Sequence, residues 1–216
     1  MRVKICCIAN VAEAELAIAH GAHALGLVAH MPSGPGVIAE GEIATIARRI
    51  PPGATSVLLT SRRDVAGIIA QQRRCGVTAI QLCDSLDVGT HAALREALPG
   101  IALIQVVHVD RPRNLTEVRG VAANADAILL DSGRPGLAVK ELGGTGRVHD
   151  WAISREIVEA VAAPVFLAGG LDATNVAAAI RAVRPYAIDV CTGVRTDGRL
   201  DAAKLARFVA AATDAW

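Results

Sequence analysis

The sequence predicts one α/β domain, a single (β/α)8 TIM barrel over residues 1–216, and three observations predict it. Eight short, continuously apolar runs alternate with stretches of helical periodicity, the pattern of parallel strands buried on both faces and returned by helices. The 216-residue length suits a barrel, a fold that commonly runs to about 200–250 residues. The last two runs break on glycine, in Leu167-Ala-Gly-Gly-Leu171 and Asp189-Val-Cys-Thr-Gly-Val194, where bare main chain approaches an anion closely.

Each element follows in order. The strands are expected at residues 3–7, 24–29, 56–59, 79–82, 102–107, 127–131, 165–168 and 187–191. Helices are expected at residues 11–20, 41–49, 64–75, 88–98, 114–123, 154–161, 173–183 and 202–212, each with an Ala, Ile, Leu or Val stripe to lay on the strands. Asn10, Asp64, Asp87, Asn114, Asp172 and Asp201 stand near helix starts as caps, and Gly21, Gly76 and Gly100 follow helices where a left-handed residue ends the turn. Two connections, residues 30–40 and 132–150, are longer than a turn requires. They follow the second and sixth strands and so fall at the C-terminal face, where barrel active sites lie.

Composition narrows the function. With 22 basic against 21 acidic residues and only 2% aromatics, the chain lacks the charge and the stacking surface of a nucleic-acid binder. No uncharged apolar run reaches the ~20 residues of a membrane span, and no signal pattern precedes the first strand, so a cytoplasmic protein, monomer or homodimer, is expected. Cys6, Cys7, Cys75, Cys83 and Cys191 make an odd set without CxxC spacing, which predicts reduced thiols and no zinc ribbon. Cys6, Cys83, His108 and Asp131 all end strands, but as scattered single residues they carry no metal-ligand spacing, and no metal or organic cofactor is expected.

The strand ends carry the chemistry. A thiol at Cys6 and a carboxyl at Asp131, across a mouth with a phosphate clamp after strands seven and eight, form an acid/base pair for moving protons along a phosphosugar. Asp131 ends an otherwise apolar strand, where an acid is costly to bury without a task. Gly169, Gly170 and Gly193 are the expected phosphate-binding backbone. Gly144 and Gly146, in Gly143-Gly-Thr-Gly146, read equally as substrate- or phosphate-binding backbone and as a lid without ligand contact. Lys4, on the same strand face as Cys6, either supplies positive charge or partners a buried carboxylate. His108 and Cys191 read as strand-end residues without a catalytic part.

Seven segments together resemble the phosphoribosylanthranilate isomerase family over nearly the whole chain: Lys4-Ile-Cys-Cys-Ile8, Gly21-Ala-His-Ala-Leu-Gly-Leu27, Gln81-Leu82, Leu129-Leu-Asp131, Gly143-Gly-Thr-Gly146 with Asp150-Trp151, Leu167-Ala-Gly-Gly-Leu171 with Asn175-Val176, and Val183-Arg-Pro-Tyr-Ala-Ile-Asp-Val190 with Gly193-Val194. The resemblance implies a cofactor-independent aldose-ketose isomerase of tryptophan biosynthesis. Its reaction is the Amadori rearrangement of a phosphoribosyl amine, the partner substrate, to a 1-deoxyribulose phosphate. Matched by motif, Asp131 protonates the ribose ring oxygen and Cys6 removes the C2 proton; a basic or N–H-rich mouth would favour the thiolate, and desolvation would keep the acid protonated.

Three segments, four positions in all, depart from the family pattern. Cys7 replaces a glycine, and strand alternation points its side chain away from the interior if Cys6 points in. Gly36 stands where the family carries the Arg that holds the anthranilate carboxylate, a loss worth roughly 2–5 kcal/mol for a buried charge left unpaired; Arg134 is the nearest replacement by sequence. Cys83-Asp84 replaces His-Gly and adds a thiol and a carboxylate to the mouth. These changes keep two alternatives open: an isomerase or lyase acting on another phosphosugar, and a non-catalytic phosphometabolite-binding protein.

Overall fold

A computed structural model describes residues 1–109 and 115–215. Eight parallel strands close into a barrel in sequence order: β1 (Arg2–Ile5), β2 (Ala24–Val28), β3 (Thr55–Thr60), β4 (Ala79–Leu82), β5 (Ala102–His108), β6 (Ala127–Asp131), β7 (Val165–Leu167) and β8 (Ala187–Val190), with β8 pairing back onto β1. The intervening helices are α1 (Val11–Ala19), α2 (Glu40–Ala47), α3 (Val65–Cys75), α4 (Thr90–Ala97), α5 (Leu115–Ala122), α6 (Trp151–Ala160), α7 (Val176–Val183) and α8 (Ala202–Thr213).

The side-chain period of two explains how this sequence fills two cores at once. Ala24, Val28, Val57, Ala79, Ile104, Ala127 and Leu129 turn inward, and this mixture of small and branched aliphatic side chains fills the barrel with few aromatics. Their neighbours Leu25, Leu27, Leu58, Ile128, Leu130 and Ile188 turn outward onto helix stripes that include Ala14, Ala17, Ile43, Ile46, Val176 and Ile180.

Helix starts follow their caps, and here three expectations need correcting. Asn10, Asp64 and Asp201 accept first-turn N–H groups as expected. Asp87 does not cap α4; Gly89 holds that position and Asp87 pairs with Arg63 at 3.2 Å. Asp172 lies one turn early, accepting from the N–H groups of Thr174 and Asn175 before α7 begins at Val176. α6 begins at Trp151 rather than residue 154, because Asp150 accepts from the Ala152 N–H. Asn114 lies outside the described residues.

A two-stranded hairpin, β9 (Arg195–Thr196) with β10 (Arg199–Leu200), lies beyond the eightfold plan. Asp197 and Gly198 turn it with φ of 49° and 77°, the left-handed pair that an Asp-Gly turn supplies. No helix among the described residues is long and apolar enough to cross a membrane.

Candidate active site at the barrel mouth

Strand alternation delivers the chemistry to one place. Cys6 just past β1, Gln81 on β4 and Cys83 after it, Asp131 at the end of β6, and Asp189 and Cys191 at β8 all line a single cavity at the C-terminal ends of the strands. Gly144, Gly146, Gly169 and Gly170 line the same cavity. Gly193 does not. A Cβ there would stand 2.0 Å from the Leu171 carbonyl oxygen, so this glycine lets the chain after β8 press against the loop after β7, while Thr192 beside it reaches the cavity.

Asp131 is 8% exposed. Burial raises its carboxyl above the usual carboxylate range, the Ser132 N–H at 2.6 Å opposes the rise, and the nearby Asp189 adds to it. Its surroundings thereby favour the proton on this cavity-facing carboxyl more than water would. Cys83 is a different case: burial pushes its thiol far up, so it stays protonated and forms wall.

The β1/β8 side carries two buried ion pairs. Lys4 Nζ and Asp189 Oδ2 meet at 2.9 Å across adjacent strands, with the lysine fully buried. Burial alone would lower the lysine's pKa, but the facing carboxylate outweighs it and the ammonium stays charged, close enough to interact electrostatically with the thiols of Cys6 and Cys83. Lys4 is thus both a source of positive charge and the partner of a buried carboxylate. Behind the strands, Arg195 Nη1 bonds both Glu13 oxygens at 3.1 Å, and its Nη2 donates to the carbonyls of Cys6 and Cys7 at 3.0 and 2.5 Å. Glu13 also accepts from the N–H groups of Ala9 and Leu200, so the end of β1 is clamped to the hairpin.

Cys7 corrects an expectation. It lies beyond the last residue of β1 with φ of 62°, in the left-handed region that favours glycine, and this breaks the alternation. Its sulfur turns into the cavity, 3.8 Å from Cys6 Sγ and 2.7 Å from Cys191 Sγ.

The two long loops meet over the mouth. Ser33 Oγ donates to the Lys140 carbonyl at 2.7 Å, and a Cβ at Gly144 would stand 2.7 Å from Pro35 Cδ. Inside loop 132–150, Ser132 and Thr145 hydroxyls bond at 2.7 Å, and Arg147 pairs with Glu141. Gly170 with φ of 62° admits the Arg147–Val148 backbone, which a Cβ would meet at 2.6 Å. Arg134 forms a backbone bridge with Glu141 and does not line the cavity. Asp84 likewise stays out of it, held by Lys140 Nζ at 2.5 Å. Among the described residues no Lys or Arg lines the cavity, and none forms a cluster of three or more metal-ligating side chains.

Sequence reasoning left Asp189, Glu13, Arg195, Ser132 and Thr145 without a role. Only Asp189 carried a local signal, an acid inside the apolar run of β8 answering the lysine inside β1. The Glu13–Arg195 pair spans 182 residues and left none.

A family model described as N-(5'-phosphoribosyl)anthranilate isomerase matches residues 3–211. N-(5'-phosphoribosyl)anthranilate isomerase 2 of Methanosarcina mazei is 37% identical over 211 residues, which cover 97% of this chain and 92% of that one. Among solved structures, phosphoribosyl anthranilate isomerase from Thermus thermophilus superposes with a TM-score of 0.84 at 26% identity, covering 99% of each chain. Another phosphoribosyl anthranilate isomerase, solved with reduced 1-(o-carboxyphenylamino)-1-deoxyribulose 5-phosphate, has a TM-score of 0.79 at 26% identity, again over 99% of each chain.

Proposed function

This chain belongs to the phosphoribosylanthranilate isomerase family, and on that premise we propose that Cys6 and Asp131 are the base and acid of its Amadori rearrangement. The observation that carries the reading is their convergence: both line one cavity, under loops whose glycines bare their backbone to it. The Asp131 carboxyl, whose protonated form burial favours, gives its proton to the ribose ring oxygen as the bond from that oxygen to the anomeric carbon breaks. The opened sugar is then an iminium ion. The Cys6 thiolate takes the C2 proton, leaving an enolamine that tautomerises to the 1-deoxyribulose product. Lys4 brings positive charge near Cys6 from inside the barrel, and Arg195 holds the carbonyls of Cys6 and of the residue after it in place. Gln81 Oε1 and Asp189 Oδ1, buried and without hydrogen-bond partners, face the same cavity and support a substrate rich in hydroxyl groups. Backbone at Gly144, Gly146, Gly169 and Gly170 is assigned to the phosphate, with Gly193 shaping rather than lining the site. Five cysteines outside any disulfide support action in a reducing cytoplasm.

Turnover of phosphoribosylanthranilate by the purified chain, and rescue of a tryptophan auxotroph lacking this step, test the reading. Cys6→Ser and Asp131→Asn should each lower kcat by ~10²-fold or more, with far smaller changes in KM. Unchanged kcat in either variant removes that residue from the mechanism. Asp131 also sets a pH dependence. Its folded pKa is raised, so kcat falls as pH rises through it and the acid ionises. Stability follows the same sign. Wild type loses stability across that window while the variant with an uncharged amide there does not, so Asp131→Asn melts above wild type on the alkaline side of the window and the two converge in acid.

One observation favours a second reading. Without a cation among the described lining residues, the site lacks a visible partner for a substrate carboxylate, which fits a phosphoribosyl amine without one. A kcat/KM comparison between amines with and without the ortho carboxylate decides between them.

A further inference from the structure

The sulfurs at the mouth have a use that acid–base chemistry does not need. Cys7 and Cys191 lie 184 residues apart in the chain, yet their sulfurs stand 2.7 Å apart where the ends of β1 and β8 run side by side. A disulfide asks for about 2.05 Å between sulfurs and Cα atoms roughly 4.4–6.8 Å apart, which neighbouring strands supply. The two thiols differ in exposure and in electrostatics. Cys7 is buried and Cys191 is half-buried and opens onto the cavity. The hydrogen bond they share, followed by the charge of Arg195, lowers the Cys191 thiol from its ordinary value, while the same bond and Cys6 raise that of Cys7. Cys191 is thus the more readily ionised and more exposed thiol, and Cys7 stands in position to resolve it. Cys7 also sits in left-handed backbone, a conformation that costs a non-glycine residue energy and that aims its sulfur at Cys191.

We propose that Cys7 and Cys191 are a redox pair, converted by a peroxide into a reversible disulfide that ties the end of β1 to the start of the loop after β8. The Cys191 thiolate attacks one oxygen of hydrogen peroxide; the O–O bond breaks, hydroxide leaves, and Cys191 becomes a sulfenic acid. The Cys7 sulfur, giving up its proton, attacks the Cys191 sulfur; the S–O bond breaks and water departs. The two thiols lose two electrons, one peroxide gains them, and two waters result. A dithiol reductant reverses the bond by thiol–disulfide exchange.

The consequence for turnover rests on the function proposed above. Cys6 Sγ is 3.8 Å from the sulfur that moves, and Cys191 leads directly into Thr192 in the cavity wall. Displacing a catalytic group by a fraction of an ångström costs rate, and the oxidised form should turn over roughly tenfold more slowly or worse.

The test treats the whole chain with stoichiometric hydrogen peroxide, blocks remaining thiols under denaturing conditions, and maps peptides by mass. Starting from five cysteines per chain, the titratable count should fall by two and the mass by two hydrogens. The fragment carrying residue 7 should be joined to the one carrying residue 191. Because Cys6 and Cys7 share a fragment, Cys6→Ser is run in parallel and should still form the cross-link; Cys191→Ala should form none and keep all its remaining thiols. A full thiol count after oxidation, or a link lost in Cys6→Ser, overturns the proposal. Turnover measured before oxidation, after it and after dithiothreitol should fall and return. An inert reduced protein counts against the assigned function and leaves the cross-link measurement standing, whereas a cross-linked protein of undiminished rate overturns the regulatory consequence.

Discussion

The two walls of the cavity are built by different physics. The β1/β8 wall is held by full charges out of water, Lys4 against Asp189 within the barrel and Arg195 against Glu13 behind it. The β6/β7 wall is held by glycines, hydroxyls and main chain, with Gly169 and Gly170 admitting the loop strand that ends in Asp150 and Ser132 bonded to Thr145. The difference teaches where rigidity is invested. A base must keep its position relative to one carbon to within a few tenths of an ångström, and paired buried charges hold backbone that firmly because separating them strands a charge in low dielectric. An anion is satisfied by several N–H groups at once, and a glycine loop presents them without a side chain in the way.

That contrast breaks first at Lys4. Lys4→Met leaves the Asp189 carboxylate buried and unanswered, and chemical denaturation should show a loss of about 3–5 kcal/mol. A loss under ~1 kcal/mol, the range of exposed pairs such as Arg155–Glu159, would show that the wall does not depend on its charges. The next effect lies on the other wall. Gly170→Ala forces a Cβ against the Arg147–Val148 backbone in a left-handed conformation, with an expected cost of about 1–3 kcal/mol and a rise in KM larger than the fall in kcat. If KM holds while stability drops, the glycine serves the loop and not the phosphate.

The smallest effect joins the two sides. A Cβ at Gly36 would stand 2.4 Å from Cys7 Cβ, so Gly36→Ala and Cys7→Gly should not add. Cys7→Gly alone relieves the left-handed backbone, and in that background the cost of Gly36→Ala should shrink by about 1 kcal/mol. Additive values would mean that the two positions relax independently. Coupling would explain why the family's arginine and glycine are absent together here: the cysteine side chain occupies the space that a side chain at 36 would need.

Much of this was legible in the chain itself. Strands such as Ala127–Asp131 are apolar throughout and end on a polar residue, so both the element and the residue at its mouth follow from one short run. The glycines of Gly143–Gly146 and Gly169–Gly170 were readable as places where main chain comes close to something. What they approach was not. Gly170 faces the Arg147–Val148 backbone, and Gly193 meets the Leu171 carbonyl instead of the cavity. Cys7 was misread for a local reason: alternation holds within a strand, and this residue lies two steps outside it.

By itself the sequence determined the eightfold alternation, the placing of Lys4 and Cys6 on one strand face and of Asp131 at a strand end, and the family, because each depends on periodicity or on short motifs. Tertiary structure alone decided which inward residues touch. Closing the barrel brings β8 against β1 and so pairs Lys4 with Asp189, Glu13 with Arg195 and Cys7 with Cys191. Those contacts arise from strand register and loop closure, which order residues nearly a full chain length apart and leave no trace in any local window.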